Sequence, residues 1–304
     1  MLLTAVGLVL LQVISSLCET YEIADDVYSF TTTNAYFSMF VVTGSGVIVI
    51  DPSNLEHSKQ MLKEINDITS EPVKWVFYSH NHWDHIAGGQ VFKDGGATIT
   101  AHKEVYEWMK SSPGKDVVLP DILWEGYEKY IQMGRKTLYL RHAGSSHGLG
   151  MTAFVLPAER VAYIADIVTP NRVGFAFLPD FDIDGWQYTL QRYLELDFDK
   201  AVYAHNANPE PNKGGDKEDI AETVQYLQDI RAGIAAEIKK GTNPNAIAST
   251  LKLPKYEKWA MYNEWLGLNI FAILIQDSIG PYARAPKKAS YHRNLWAENR
   301  LNKK

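Results

Sequence analysis

The stretch "SHNHWDHIAGG", residues 79–89, crowds three histidines and an aspartate into six positions directly after the apolar run "PVKWVFY". The chain has nine histidines in 304 residues, so one strand end holds a third of them. A plain loop gains nothing from this, because burial penalises polar rings and protonated imidazoles repel one another. A metal ion gives the cluster a purpose, since neutral imidazole nitrogens and a carboxylate are ligands that zinc and its neighbours take. Strand side chains alternate, so His80 and His82 project to one side. The turn that follows carries Asp84 and His85 round to an adjoining point, and two neighbouring metal positions fit that arrangement. Gly88 and Gly89 let the backbone turn tightly into the next helix.

Working outward, "YFSMFVV" and "GVIVID" flank "TGSG" and read as a hairpin. "EHSKQMLKEINDI" sets Met61, Leu62, Ile65 and Ile68 on one helical face. "VKWVFYSH" is a buried strand, "ATITAH" another, and "KEVYEWMK" a short helix. A second round starts near residue 136, with strands "KTLYLRHA", "GMTAFVLP" and "RVAYIADIV", helix "GWQYTLQRYLEL" and strand "KAVYAH". Strand-hairpin, helix, strand thus occurs twice, each time ending in histidine. Two β-rich halves facing each other with helices outside make an α/β, four-layer αββα sandwich.

Three more ligand candidates fall in this second round. His147 sits in the loop "AGSSHGLGM", Asp166 ends "VAYIAD", and His205 ends "KAVYAH". The C-terminal third reads as helical, with Ile220, Val224, Leu227, Ile230, Ile234 and Ile238 on one apolar stripe. "EWLGLNIFAILIQDSIG" is apolar all round but too short to span a bilayer, and reads as a buried helix. Residues 111–134 form a long connection that reads as a lid over a site, contributing Trp124, Tyr127 and Tyr130.

"HNHWDH" matches the H-x-H-x-D-H signature of the metallo-β-lactamase superfamily, and "SSHG", "YIAD" and "YAHN" fall where that family places its other ligands. The chain resembles that family over roughly residues 22–206, which implies a catalytic core there and a helical region, 207–304, packed on it. The resemblance implies that His80, His82 and His147 hold one metal and Asp84, His85 and His205 the other. Asp166 would bridge the two, and Asp51, closing "VIVID", would support the metal-site loop from behind. Lactamases with a cysteine ligand are excluded, because the single cysteine is Cys18. A bridging aspartate is more similar to the glyoxalase II, lactonase and arylsulfatase-like branches.

The resemblance implies a zinc enzyme with two Zn2+ per chain, hydrolysing an ester, thioester, lactone or β-lactam-like carbonyl. Paired metal ions about 3.5–4 Å apart share a hydroxide nucleophile at neutral pH. Asp84 is the catalytic residue, orienting that hydroxide and passing a proton to the leaving group. The rival on the same scaffold is a mononuclear iron dioxygenase, similar to the persulfide dioxygenases. "AGSSHG" is not a G-x-S-x-G elbow, so Ser145 and Ser146 read as loop residues.

Phe175, Phe177, Leu178 and Phe181 follow Asp166 and are expected on the metal face. With the lid aromatics they suit a small-molecule substrate with an apolar or aromatic part, and Arg172 suits a carboxylate. A formal net charge of −6, a pI near 5.9 and no basic run beyond the short tail "NKK" argue against the basic surface that nucleic acid requires. At the N-terminus the apolar run Leu2–Ile14 precedes Ser16 and Cys18, placed like the −3 and −1 positions of a signal-peptidase site. Residues 1–18 therefore read as a signal peptide, giving a secreted protein with no stable membrane anchor and no disulfide after cleavage.

Overall fold

The computed structural model describes residues 18–280 except 34, 113, 115 and 116. The expected signal segment, up to residue 17, lies outside the described residues, as does the end of the C-terminal region from residue 281.

Two sheets face each other. The first runs β1 (Glu19–Ala24), β2 (Val27–Thr31), β3 (Phe37–Val42), β4 (Val47–Ile50), β5 (Val73–Tyr78), β6 (Thr98–His102) and β7 (Ile122–Trp124), in that order across the sheet. The second has β8 (Glu128–Met133), β9 (Lys136–His142), β10 (Thr152–Leu156), β11 (Val161–Ile164) and β12 (Lys200–Tyr203), in the order β12-β11-β10-β9-β8. Strands β3, β4, β10 and β11 are buried along their whole length, which explains why their sequences read as continuous apolar runs. Phe77 and Phe154 meet edge to face between the sheets, with ring centroids 5.6 Å apart.

Helices cover both outer faces. Outside the first sheet lie α1 (Leu55–Ile68), the short α2 (Trp83–Ile86), α3 (Gly89–Asp94) and α4 (Lys103–Ser111). Asn54 caps α1 by accepting from the backbone N–H groups of Glu56 and His57. The expected apolar face is only half used: Met61 and Ile65 are buried, whereas Ile68 at the helix end is exposed. Against the second sheet pack α5 (Ile183–Leu194), α6 (Lys217–Lys239), α7 (Pro244–Thr250) and α8 (Tyr262–Ile279), and they share one apolar core with it. The family-type fold and the helical C-terminal extension are therefore present as expected.

Two sequence expectations change. The second half of the presumed lid is sheet: β7 ends the first sheet, β8 ends the second, and residues 125–127 cross between them. Trp124 is buried against His102, Tyr127 stacks beside His142 and Tyr130 lies on Tyr139, so none of the three covers a site. Helix α8 buries Leu266, Ile270 and Ile273 but leaves Leu268 and Phe271 on the surface, so it is buried on one side only. No described helix is long and apolar enough to cross a membrane.

The site is positioned by the parallel pairs. β4 and β5 run parallel through the crossover α1, and β11 and β12 run parallel through α5. Parallel strands finish on the same side, so Asp51 ends beside Ser79 and His80, and Asp166 ends beside His205. Gly88 follows this edge where a Cβ would meet the Pro52 and Asn54 carbonyls at 2.5 and 2.6 Å, so only glycine fits the approach.

Candidate metal centre

Asp166 stands at the middle. Its Oδ2 is 3.2 Å from His80 Nε2, 3.7 Å from His82 Nδ1 and 2.9 Å from His147 Nε2. Its Oδ1 is 2.9 Å from His85 Nε2 and 3.2 Å from His205 Nε2. Asp84 reaches the second group, with Oδ2 3.7 Å from His85 Nε2. One carboxylate thus divides five imidazoles into two sets, each facing its own oxygen. Potential ligand atoms of His80, His82, His147 and Asp166 lie within 4.8 Å of one another, as do those of Asp84, His85 and His205.

The hydrogen bonds on the far side of each ring say what it offers. Ser79 Oγ donates to Asp51 Oδ2 at 2.6 Å, so it accepts from His80 Nδ1 at 2.8 Å. His85 Nδ1 donates to Asp51 Oδ2 at 3.1 Å, and His205 Nδ1 to the Ala35 carbonyl at 2.7 Å. His82 Nε2 donates to Asp180 Oδ2 at 3.1 Å. Each partner can only accept, so four rings carry their proton on the outward nitrogen and turn a lone pair toward Asp166. Lone pairs converging on a carboxylate call for a cation, and this outward anchoring is how metal-ligating histidines are held. The buried His80 Nε2, His85 Nε2 and Asp166 Oδ1 make no hydrogen bond, which fits coordination positions. The donor set of five imidazoles and two carboxylates suits zinc or iron.

For the chain by itself, the electrostatics divide the rings. Burial keeps His80 and His147 neutral. His82 and His85, against burial, are pulled toward the charged form by Asp166 and their outer carboxylates. Burial opposes charge on Asp166, yet the surrounding imidazoles, His85 foremost, hold its carboxyl well below the usual range. Burial pushes His80 down and takes His147 to about 3. For His82, burial is outweighed by hydrogen bonds to Asp166 and Asp180, and the ring rises to about 9. Asp51 and Asp166 hold left-handed backbone at φ 52° and 43°, a strained state for non-glycine residues that clusters at functional sites.

All seven expected ligand residues converge, and Asp51 lies behind them, also receiving Ser79 N–H and Tyr163 O–H at 2.7 and 3.0 Å. The aromatic expectations divide. Phe181 packs on His147 with centroids 4.0 Å apart, but Leu178 is core and Phe175 and Phe177 are exposed. Sequence reasoning missed Asp180, Ser79, Tyr163 and Tyr36. Tyr36 meets His205 edge to face at 4.8 Å and lies near enough to Asp84 for that carboxylate to raise its hydroxyl pKa, after burial. Ser79 and Asp180 sit inside stretches already singled out, and the signal was adjacency to a ligand or to the post-Asp166 loop. Tyr36 and Tyr163 had no local signal.

The family model of the metallo-beta-lactamase superfamily matches residues 31–205. The chain belongs to that superfamily. It is 25% identical over 287 residues to the "2,4-dinitroanisole O-demethylase subunit alpha" of Nocardioides sp. (strain JS1661), covering 87% of this chain and 84% of the relative. Among solved structures it is similar to a metallo-beta-lactamase from Pontibacter korlensis, with TM-score 0.59 and 19% identity, over 69% of this chain and 99% of that one. It is similar also to the stereoselective inverting sec-alkylsulfatase Pisa1 from Pseudomonas sp., with TM-score 0.68 and 16% identity. That match covers 92% of this chain and 54% of the sulfatase, so the superfamily chain spans about half the sulfatase's length.

Proposed function

We propose that the chain is a binuclear zinc hydrolase of a small ester, thioester, lactone or related substrate with an apolar or aromatic part. The observation that carries this reading is the division of five imidazoles between the two oxygens of Asp166. A mononuclear iron dioxygenase has no use for the second set, Asp84, His85 and His205. Bound at these two sets, zinc supplies a Lewis acid and a hydroxide nucleophile at neutral pH. The chain's own residues do the rest. Asp84, with its side chain half exposed, takes the proton of the attacking water and returns it to the leaving oxygen. Asp51 locks the His80 and His85 rings through Ser79 and directly, so the ligands need no reorganisation during turnover.

Arg172 anchors the substrate. It lines a small cavity with Asp166, Phe175 and Phe181, and its side chain meets Thr169 Oγ1 at 3.0 Å and the Trp265 ring. Its Nε is buried without a hydrogen bond, and no carboxylate pairs with it among the described residues. A buried cation in that state suits an oxyanion, either a substrate carboxylate or a departing phenolate. Arg172→Ala should raise KM for an anionic aryl ester about tenfold or more, and far less for a neutral one of equal size. Equal losses for both esters would remove Arg172 from recognition.

The relative's name brings a second substrate arm, the O-demethylation of an electron-poor aryl methyl ether. A panel of carboxylic esters, thioesters, lactones, β-lactams and nitroaryl methyl ethers, run on zinc-loaded protein, tests the reading. Turnover of any one without oxygen supports it, and inactivity across the panel with oxygen consumption on a persulfide opposes it. We also infer export. The support is the sequence of residues 1–18, together with the start of β1 at Glu19, next to the expected cleavage bond. A reporter fused after residue 20 should leave the cytosol shortened near Cys18; an intact cytosolic fusion opposes export.

A further inference from the structure

Tyr36 borders the second ligand set without being one of its ligands. It is half-buried in the connection between β2 and β3, one residue before β3 begins at Phe37. Its ring stands edge-on to two rings of that set, with centroids 4.8 Å from His205 and 6.1 Å from His85. The backbone on both sides of it is pinned. Phe37 N–H donates to the Ala204 carbonyl at 2.9 Å, and the Ala35 carbonyl accepts from His205 Nδ1 at 2.7 Å. Both neighbours thus tie Tyr36 to the end of β12, where His205 lies. We propose that Tyr36 is a further catalytic residue, whose hydroxyl gives the leaving oxygen its proton and is resupplied by Asp84.

The surroundings of the hydroxyl support this role. It makes a hydrogen bond with the Asp84 carboxylate, the group that carries the proton of the attacking water. Burial, then Asp84, favour the neutral phenol, which is the form that donates. On its other side is the substrate anchor. Burial pulls the Arg172 guanidinium down, while Asp166 and the Tyr36 oxygen hold it up, so the hydroxyl is within reach of that cation too. One oxygen therefore neighbours both the proton carrier and the group that positions the substrate.

The proposal rests on the hydrolase reading and narrows its substrate. A nitrophenolate leaves readily without a proton, whereas an alkoxide needs one as its bond breaks. A built-in donor for the leaving oxygen suits esters of ordinary alcohols. The step balances. The water oxygen bonds to the acyl carbon, and the bond to the leaving oxygen breaks with its electron pair on that oxygen. One proton of the water goes to Asp84, which passes it to Tyr36 Oη as the Tyr36 proton moves to the leaving oxygen. A carboxylic acid and an alcohol result, and both side chains end as they began.

The competing explanation is packing, in which the ring steadies His205 and the hydroxyl does nothing. Tyr36→Phe keeps the ring and removes only Oη, so it separates the two. The experiment follows kcat on esters of one acid with leaving groups running from nitrophenol to ethanol, using the zinc-loaded full chain. Zinc content and circular dichroism are measured on the same samples. Tyr36→Phe should keep its zinc and its fold and lose about 10²-fold in kcat on the ethyl ester. The loss should shrink steadily as the leaving group becomes more acidic. No loss, or an equal loss for every leaving group, overturns the proposal. Loss of zinc from Tyr36→Phe also overturns it, since the hydroxyl would then serve the ligands. A wild-type chain that cleaves nitrophenyl esters but not the ethyl ester overturns the proposal and leaves the hydrolase reading standing. A wild type inactive on every ester counts against that reading first, and removes the proposal with it.

Discussion

Asp166→Asn is expected to lower kcat/KM by about 10³-fold or more, and to do so by emptying both metal positions at once. The five imidazoles lie 2.9 to 3.7 Å from its two oxygens, so one substitution reaches both ligand sets. An amide supplies no negative charge between two cations, and a loss of about 4 kcal/mol of charge stabilisation corresponds to about 10³-fold. The fold should survive. Residue 166 has φ 43°, a backbone state that asparagine tolerates better than most residues, whereas alanine would add strain. Zinc content, kcat/KM and circular dichroism on the same sample check the three claims. A fully metal-loaded, inactive Asp166→Asn would mean that Asp166 acts on substrate and not on metal.

Asp84→Asn is expected to show the opposite division, with chemistry lost more than binding. Its carboxylate lies at the open side of the His85 and His205 set, 47% exposed, so neither packing nor the sheets depend on it. Loss of general acid–base catalysis lowers kcat by at least about 10²-fold. KM should change little, because the proposed anchor for the substrate is Arg172, in the cavity it shares with Asp166, and not Asp84. Ser146 supplies the control. It is buried next to His147, which invites a serine-nucleophile reading, and its carbonyl receives Asp182 N–H at 2.9 Å. Ser146→Ala should keep most activity. An inactive Ser146→Ala beside an active Asp84→Asn would overturn the metal mechanism in favour of a serine nucleophile.

The convergence of the seven candidate ligand residues was legible because the chemistry of metal binding is local in sequence. A strand end and a tight turn are enough to group His80, His82, Asp84 and His85, and the other three each end or follow a strand of the second half. β5 itself stops at Tyr78, so strand alternation does not reach His80 and His82. What lay outside sequence reach was long-range. Tyr163 reaches Asp51 from the opposite sheet, and Ala35 receives His205 from 170 positions away. The lid expectation failed for a related reason. Residues 122–133 look irregular because they form two short edge strands in different sheets, one partly exposed and one largely so. Neither shows the apolar run of a central strand. His102 and His142 escaped notice because each alone is an ordinary strand-end histidine, and only the closure of the two sheets stacks them.

The central claim is that the two ligand sets around Asp166 hold zinc for hydrolysis. Its most direct test is reactivation of the metal-stripped chain under nitrogen, following aryl-ester turnover as zinc is added. Activity should return only as the Asp84, His85 and His205 set fills, after the His80, His82 and His147 set, and without oxygen. Activity that returns only with iron and oxygen, at about one equivalent of metal, would contradict it.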